Sequence, residues 1–331
     1  MHEAKAHIPM PAAPGSDAGA SVASDVGIMA RFQARPGFLL ARIDQICTAI
    51  HGEISSGETL AQAEFLLLLD AFGAVSQIAL ARAAGVDKST TGYVLDNLQT
   101  RDLIVRTAFP DDRRRALVSL TPAGAGRIAR VRADHAELQH QILLPLDPPD
   151  RPRFAALLHR LGADPAGPAP LWVPACDPAA GVLDGAASFL LRRLLQVFQA
   201  QFLACTPAFG LTLRQFSLLF ILSVRPSITQ MGFARMFGLD PSTCAVIVRG
   251  LVARALIVGQ ASPHDRRERV YAITPQGRTT LSDVQMLVDR SERLTFRGES
   301  TAEIRWLVRR LQRIVGAYSH RLRFPGALAG L

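Results

Sequence analysis

Cysteine is scarce in this 331-residue sequence. Its four copies, Cys47, Cys176, Cys205 and Cys244, lie far apart and form no C-x-x-C pair. That excludes a disulfide framework and a cysteine zinc-finger pattern, and it suits a reducing cytoplasm. Long apolar runs are missing too. The longest, residues 216–224, already contains serine, whereas a membrane helix needs about 20 apolar residues, so no membrane span is expected. Residues 1–30 hold no apolar stretch after a basic start, so no secretory signal is expected. A Gly-rich phosphate loop, a nucleophile elbow and a catalytic dyad are also lacking. No catalytic residue, cofactor or enzymatic activity is therefore expected. His135, Glu137 and His140 share a helical stretch, but their spacing does not put all three on one face, so no metal site is expected. Acidic residues are in deficit, 28 against 37 Lys and Arg, for a net charge of +9. A basic chain suits a polyanionic partner, although Arg-rich, Ala-rich composition also follows from GC-rich coding. The 49% of hydrophobic residues is ample for packed cores, and the length suggests about two domains.

The sequence repeats itself. Residues 85–124 align without gaps on residues 238–277, and 17 of the 40 positions are identical. They include Gly85/Gly238, Asp87/Asp240, Ser89/Ser242, Thr90/Thr243, Arg101/Arg254, Asp112/Asp265, Arg113/Arg266, Arg114/Arg267, Thr121/Thr274 and Gly124/Gly277. Two or three matches would arise by chance, so this is a duplicated domain. A disordered tail is expected over residues 1–30, the first domain over 31–161, a Pro/Ala/Gly linker over 162–181 and the second domain over 182–325.

Within the first copy the apolar spacing predicts helices over 38–54 and 59–72. Ser76 can cap a short helix over 77–84 that Gly85 stops. Asp87 can cap a further helix over 88–101, and its counterpart Asp240 precedes Pro241, a start signal. Two β-rich runs, 103–108 and 117–121, flank a polar loop over 109–116 and read as a hairpin. Helices over 122–143 and 150–161 follow. Two helices joined by a tight turn, then a hairpin with a basic tip, is the logic of a winged helix-turn-helix. Its second helix fits the major groove, and an Arg on the hairpin tip is attracted into the minor groove.

The order Ser-Thr at a helix start, then L-x-x-R-x-L-I-V, then Asp112-Arg113-Arg114 or Asp265-Arg266-Arg267, then Thr121-Pro122-Ala123-Gly124 or Thr274-Pro275-Gln276-Gly277 resembles the MarR family of bacterial transcription regulators. The resemblance covers residues 37–161 and 182–323. It implies a mainly α fold with small β-hairpin wings, whose terminal helices form the dimer body. One chain here would supply both lobes, as a duplicated winged helix-turn-helix closing into an intramolecular pseudo-dimer. Helices near 38–54 and 122–161 would pack against 182–204 and 275–323, and the chain would act as a monomer. By the same resemblance Arg114 and Arg267 enter the minor groove, aimed by Asp112 and Asp265. Arg113, Arg115, Arg266 and Arg269 are candidate phosphate contacts. Ser89, Thr90, Ser242 and Thr243 open the recognition helices and are candidates for phosphate or base contact, or continue the cap. Lys88, Tyr93 and Arg249 have no identical counterpart in the other copy and are candidates for sequence preference. The two recognition helices differ, so an asymmetric operator could be read.

The expected function is a cytoplasmic, nucleoid-associated regulator of transcription, a repressor, whose partners are double-stranded operator DNA and a small phenolic or aromatic acid. The family's ligand cleft would need Phe walls and an Arg. Phe189, Arg192, Arg193, Phe198 and Phe202 supply those types, although Phe at helical spacing is more often core. The peroxide-sensing branch of the family carries a Cys where this chain has Gly37 and Ser188, so that mechanism is not expected. Cys47 and Cys205 read as inert apolar positions, and Cys244 lies near the DNA-reading face. Two other readings stay open: an architectural or replication-initiator type of binder with two winged domains, and a protein-interaction module that has lost DNA binding.

Overall fold

The computed structural model describes residues 27–55, 57–109, 112–163, 181–262 and 268–322. The first half runs α1 (27–33), α2 (Pro36–Ile54), α3 (Leu60–Phe72), β1 (Val75–Ser76), α4 (Gln77–Ala84), α5 (Lys88–Thr100), β2 (Ile104–Phe109), β3 (Asp112–Leu120), α6 (Pro122–Leu143) and α7 (Asp150–Gly162). The second runs α8 (Ala187–Cys205), α9 (Leu213–Val224), β4 (Ile228–Thr229), α10 (Gln230–Phe237), α11 (Pro241–Ala253), β5 (Ile257–Ala261), β6 (Arg269–Ile273), α12 (Pro275–Thr295) and α13 (Thr301–Tyr318).

The helix starts are set by matched caps in both halves. Thr59 with Gln62, and Thr212 with Gln215, form capping boxes that satisfy two orphan N–H groups each. Ser76 and Thr229 cap α4 and α10. Gly85 and Gly238 end those helices in the left-handed conformation, which costs glycine little. Each hairpin gains a short third strand, giving antiparallel sheets in the order β1-β3-β2 and β4-β6-β5. The first hairpin is longer than its β-propensity suggests. Phe109 pairs with Asp112 after an irregularity at Ala108, so the arms consume much of the loop expected over 109–116.

Two apolar cores cross the sequence halves. The first joins the lobe of α2–α6 to α7, α8 and α13, burying Leu66, Leu95 and Val118 together with Phe189, Leu190, Leu307 and Leu311. α2 packs on both α8 and α13, and α7 on α8, so the halves interlock as the resemblance implies. At this seam Trp306 lies between Arg153 and Arg310, 4.3 and 4.9 Å from the guanidinium carbons. Arg153–Glu303 and Arg160–Glu299 pair nearby. Exposed pairs contribute little to stability. A fully buried leucine such as Leu307 or Leu311 is worth about 1.5–3 kcal/mol, so packing dominates the seam.

The second core joins α9–α12 to α1, and here the expected tail boundary at residue 30 is corrected. Residues 27–33 are helical, and Ile28, Met29 and Phe32 are buried with Phe202, Phe216 and Phe233. One helical face carries these three side chains, and its partner lies about 200 residues downstream, out of reach of local reading. The rest of the expected tail and the linker over 164–180 lie outside the described residues. Among the described residues no single helix is long and apolar enough to cross a membrane.

Candidate nucleic-acid interface and ligand cleft

The recognition helices begin on buttressed caps. Asp87 accepts from the Thr90 N–H at 2.9 Å, from the Thr90 hydroxyl at 2.7 Å and from the Ser89 hydroxyl. Asp240 accepts in the same way from Ser242 and Thr243. The hydroxyl bonds of Ser89 and Ser242 lead the contributions that hold each Asp carboxyl well below the usual carboxylate range. All four hydroxyls expected near DNA therefore spend their protons inside the cap, and only their lone pairs remain for further bonds. Beyond the cap the two helices diverge. α5 exposes Lys88 and Tyr93, the latter 72% accessible. α11 exposes Pro241, Val246 and Arg249. Asp96 stands in α5 where α11 has Arg249, and it pairs with Arg106 of β2 at 2.7 Å. The two reading surfaces thus differ in charge as well as in shape.

Asp112, Arg113, Arg114 and Arg115 fall at the start of β3, but their side chains, with Asp265, Arg266 and Arg267, lie outside the described residues. Arg269 is exposed at the start of β6 and donates to the Gly259 carbonyl at 3.0 Å, so its guanidinium is already engaged across the hairpin. Arg101 and Arg254, identical in the repeat, are structural. Arg101 donates to the Gly57 carbonyl and pairs with Glu58, while Arg254 donates to the carbonyls of Phe209 and Gly210. Each pins the end of a recognition helix to the segment entering α3 or α9.

The body also grips the turn of each helix-turn-helix. Arg42 and Gln45 of α2 donate to the carbonyls of Met236 and Gly238, the latter at 3.1 Å. On the opposite side Gln196 of α8 donates to the Gly85 carbonyl at 2.9 Å, and Arg192 to that of Ala84 at 3.3 Å. Cations at a helix C-terminus satisfy orphan carbonyls and the dipole together. Each half therefore orients the other half's lobe. Sequence reading missed this, because the bonded residues are more than 100 positions apart.

Where α2 meets the second lobe, a cavity of about 450 Å³ opens. Phe32, Phe38, Phe216, Phe220 and Phe237 line it, with edge-to-face pairs at 5.0–5.5 Å among Phe32, Phe38, Phe220 and Phe237. Arg31, Arg42 and Arg214 bring positive charge. Burial and the nearby Arg214 guanidinium push Arg42 down to about 10, a sign that its charge is held there at a cost an anion would relieve. Of the residue types singled out for a cleft, Phe198 lines this cavity. Phe202 is buried in the second core, and Phe189, Arg192 and Arg193 are buried or half-buried on the first-lobe side. The cavity walls come chiefly from α2, α9 and α12, with α1 and α8, so residues of both halves meet there.

Burial and the Asp240 charge push Cys244 up to about 11; it is buried and donates to the Gln230 carbonyl. Burial also raises Cys47. Neither thiol has the low-pKa, exposed setting of a reactive cysteine.

Comparison with known proteins fits this geometry. The MarR family model matches twice, over residues 56–115 and 209–268. A Thauera aromatica protein described as a transcriptional regulatory protein for the hcr operon is 36% identical over 87 residues, 26% of this chain and 52% of that one. The HTH-type transcriptional repressor NicR of Pseudomonas putida is 34% identical over 91 residues, 27% of this chain and 58% of its own. The chain thus spans about half the length of the curated relatives it matches. A solved structure, a probable transcriptional regulator from Pseudomonas aeruginosa, is 36% identical, with 38% of this chain and 95% of that one covered at a TM-score of 0.37. The repeat, the paired hairpin sheets, the matched caps and the twofold family match together establish that the chain carries two tandem winged helix-turn-helix domains of the MarR family.

Proposed function

We propose that the protein is a ligand-responsive repressor of transcription that reads one operator with two unlike lobes of a single chain. The observation that carries this reading is the pair of recognition helices held on one interlocked body, one presenting Lys88 and Tyr93, the other Val246 and Arg249. A helix of this kind fits the major groove, and the net charge of +9 suits the phosphate backbone. The likeness to a protein named as a repressor supports the sign of regulation. Arg114 and Arg267 then serve the minor groove, with Asp112 and Asp265 aiming them.

The cavity supplies the response. Aromatic walls with Arg42 and Arg214 close together among them suit a small aromatic or phenolic acid. Arg42 lines the cavity and also holds the turn before α11, so a carboxylate drawn to Arg42 acts on the lobe's orientation. A ligand shifts DNA affinity only by its preference for one lobe arrangement. The test is fluorescence anisotropy of the full chain against DNA from its own upstream region and scrambled DNA, at about 150 mM salt. Specific regulators prefer their site by about 10³ or more. A preference of that size, saturating at one chain per site and reversed by an aromatic acid, is the expected result. Equal, salt-sensitive binding to both DNAs would refute the reading in favour of an architectural binder.

A further inference from the structure

The duplicated halves diverge where the cavity lies. α2 and α8 correspond at an offset of 151 residues, Arg42 to Arg193, and α3 and α9 at 153, Gln62 to Gln215. Ala41 and Ser217 line the cavity of the second lobe. Their counterparts on the first-lobe side are Arg192 and Glu64. Arg192 extends from α8 past the Phe189 ring, 5.3 Å from its centroid, and pairs with Glu64 at 2.7 Å. Its other nitrogen donates to the Ala84 carbonyl at the end of α4. Glu64 is fully buried. Two further cavity positions differ in the repeat: Arg214 and Phe216 correspond to Ala61 and Ala63.

We propose that the chain binds one anionic aromatic ligand, in the second lobe alone, and that the Arg192–Glu64 pair is an internal substitute for a ligand in the first. This rests on the aromatic-acid reading of the cavity given above. The pair brings a carboxylate and a guanidinium to the place where, across the pseudo-twofold, a ligand carboxylate would meet Arg42 and Arg214. It ties α8 to α3 and, through Ala84, to the helix-turn-helix turn. Admitting a ligand there would break a buried ion pair and strand a charge, which is strongly unfavourable. The first lobe is therefore held in one arrangement, and ligand acts on the second lobe only.

Equilibrium dialysis of the full chain with benzoate, 4-hydroxybenzoate, cinnamate and 1-naphthoate tests this. The expected plateau is one probe per chain for those that bind. Ala41→Arg with Ser217→Glu, which moves the pair into the second lobe, should weaken binding at least tenfold while the melting temperature stays near that of the parent. Glu64→Ser with Arg192→Ala, together with Ala61→Arg and Ala63→Phe to restore the counterparts of Arg214 and Phe216, should raise the plateau to two per chain. Should that variant fail to fold, the parent stoichiometry and the closing variant decide the matter. A plateau of two in the parent overturns the one-sided site but leaves the aromatic-acid reading standing. Undiminished binding in a folded closing variant places the ligand elsewhere and overturns both. Binding of no probe overturns the aromatic-acid reading and this inference with it.

Discussion

The two glycines near the start of α6 should respond in opposite directions to the same added methyl group. A Cβ on Gly124 would lie 2.0 Å from the Leu103 carbonyl oxygen, far inside contact distance, and that oxygen accepts from the Thr121 N–H at 3.1 Å. The obstruction is backbone, not a side-chain end that could swing away. Overpacking costs about 1–3 kcal/mol, and weakening the Thr121 bond costs about 1 kcal/mol more. The helix propensity of alanine returns about 1 kcal/mol. Gly124→Ala should therefore destabilise by about 2 kcal/mol, lowering the melting temperature by about 4–8 °C on the scale of a domain of roughly 150–250 residues. Gly126, one half-turn on, has nothing within 4 Å of its built Cβ. Gly126→Ala should stabilise by about 1 kcal/mol through propensity alone. Calorimetry of both variants reads the contrast. A Gly124→Ala protein that melts at or above the parent would refute the claim that the glycine of the T-P-x-G motif is needed where α6 starts against the Leu103 carbonyl. Gly277, whose Cβ would stand 2.1 Å from the Leu256 carbonyl, should repeat the effect in the second lobe.

Further outcomes follow from the same structure. Burial above all, with His51 and Arg192 nearby, pushes His135 down to about 4. A depressed folded-state pKa means the neutral form is favoured on folding, so this contribution is present above pH 6.5 and is lost as the pH falls from there through about 4. Its full size is up to about 3 kcal/mol. Denaturation midpoints of His135→Gln should fall less steeply than the parent's over that window; parallel curves would count against it. Arg114→Ala should weaken specific DNA binding by about 1–3 kcal/mol, whereas Arg269→Ala should cost less, since Arg269 already donates to Gly259. Equal losses in anisotropy would contradict the assignment of the wing arginines. Light scattering should give the 35.8 kDa of one chain, because the second half replaces a partner subunit; twice that mass would sink the single-chain reading.

What could be read from the residues was local. Caps, stop signals and apolar period reproduce α4 and α6 to the residue and α2, α3, α5 and α7 to within two, because each end is fixed by bonds within three or four positions of the chain. The repeat gave the two winged domains, since identical spacing imposes identical local geometry. The cap role of Ser89 and Thr90 was also visible, as one of two readings, and the hydrogen bonds to Asp87 show that the cap holds their protons. Other features depend on chain segments that meet only after folding. Residues 27–33 are short and flanked by Pro/Ala/Gly-rich sequence, so nothing nearby announces their helix; the second lobe's apolar groove decides it. Phe32 and Phe38 become cavity walls only because α1 and α2 cross to the far half. Arg42 and Arg192 look alike in sequence, each a basic residue on an apolar helix. Tertiary contacts set them apart: one faces open volume beside Arg214, the other is neutralised by Glu64. Two winged lobes and their capped helices follow from the residues alone, because those rest on short-range hydrogen bonds and periodic burial. The crossing of the halves, the body's grip on each turn and the unequal clefts were decided by the tertiary structure, because they rest on long-range packing and on the desolvation of charges that only the folded chain brings together.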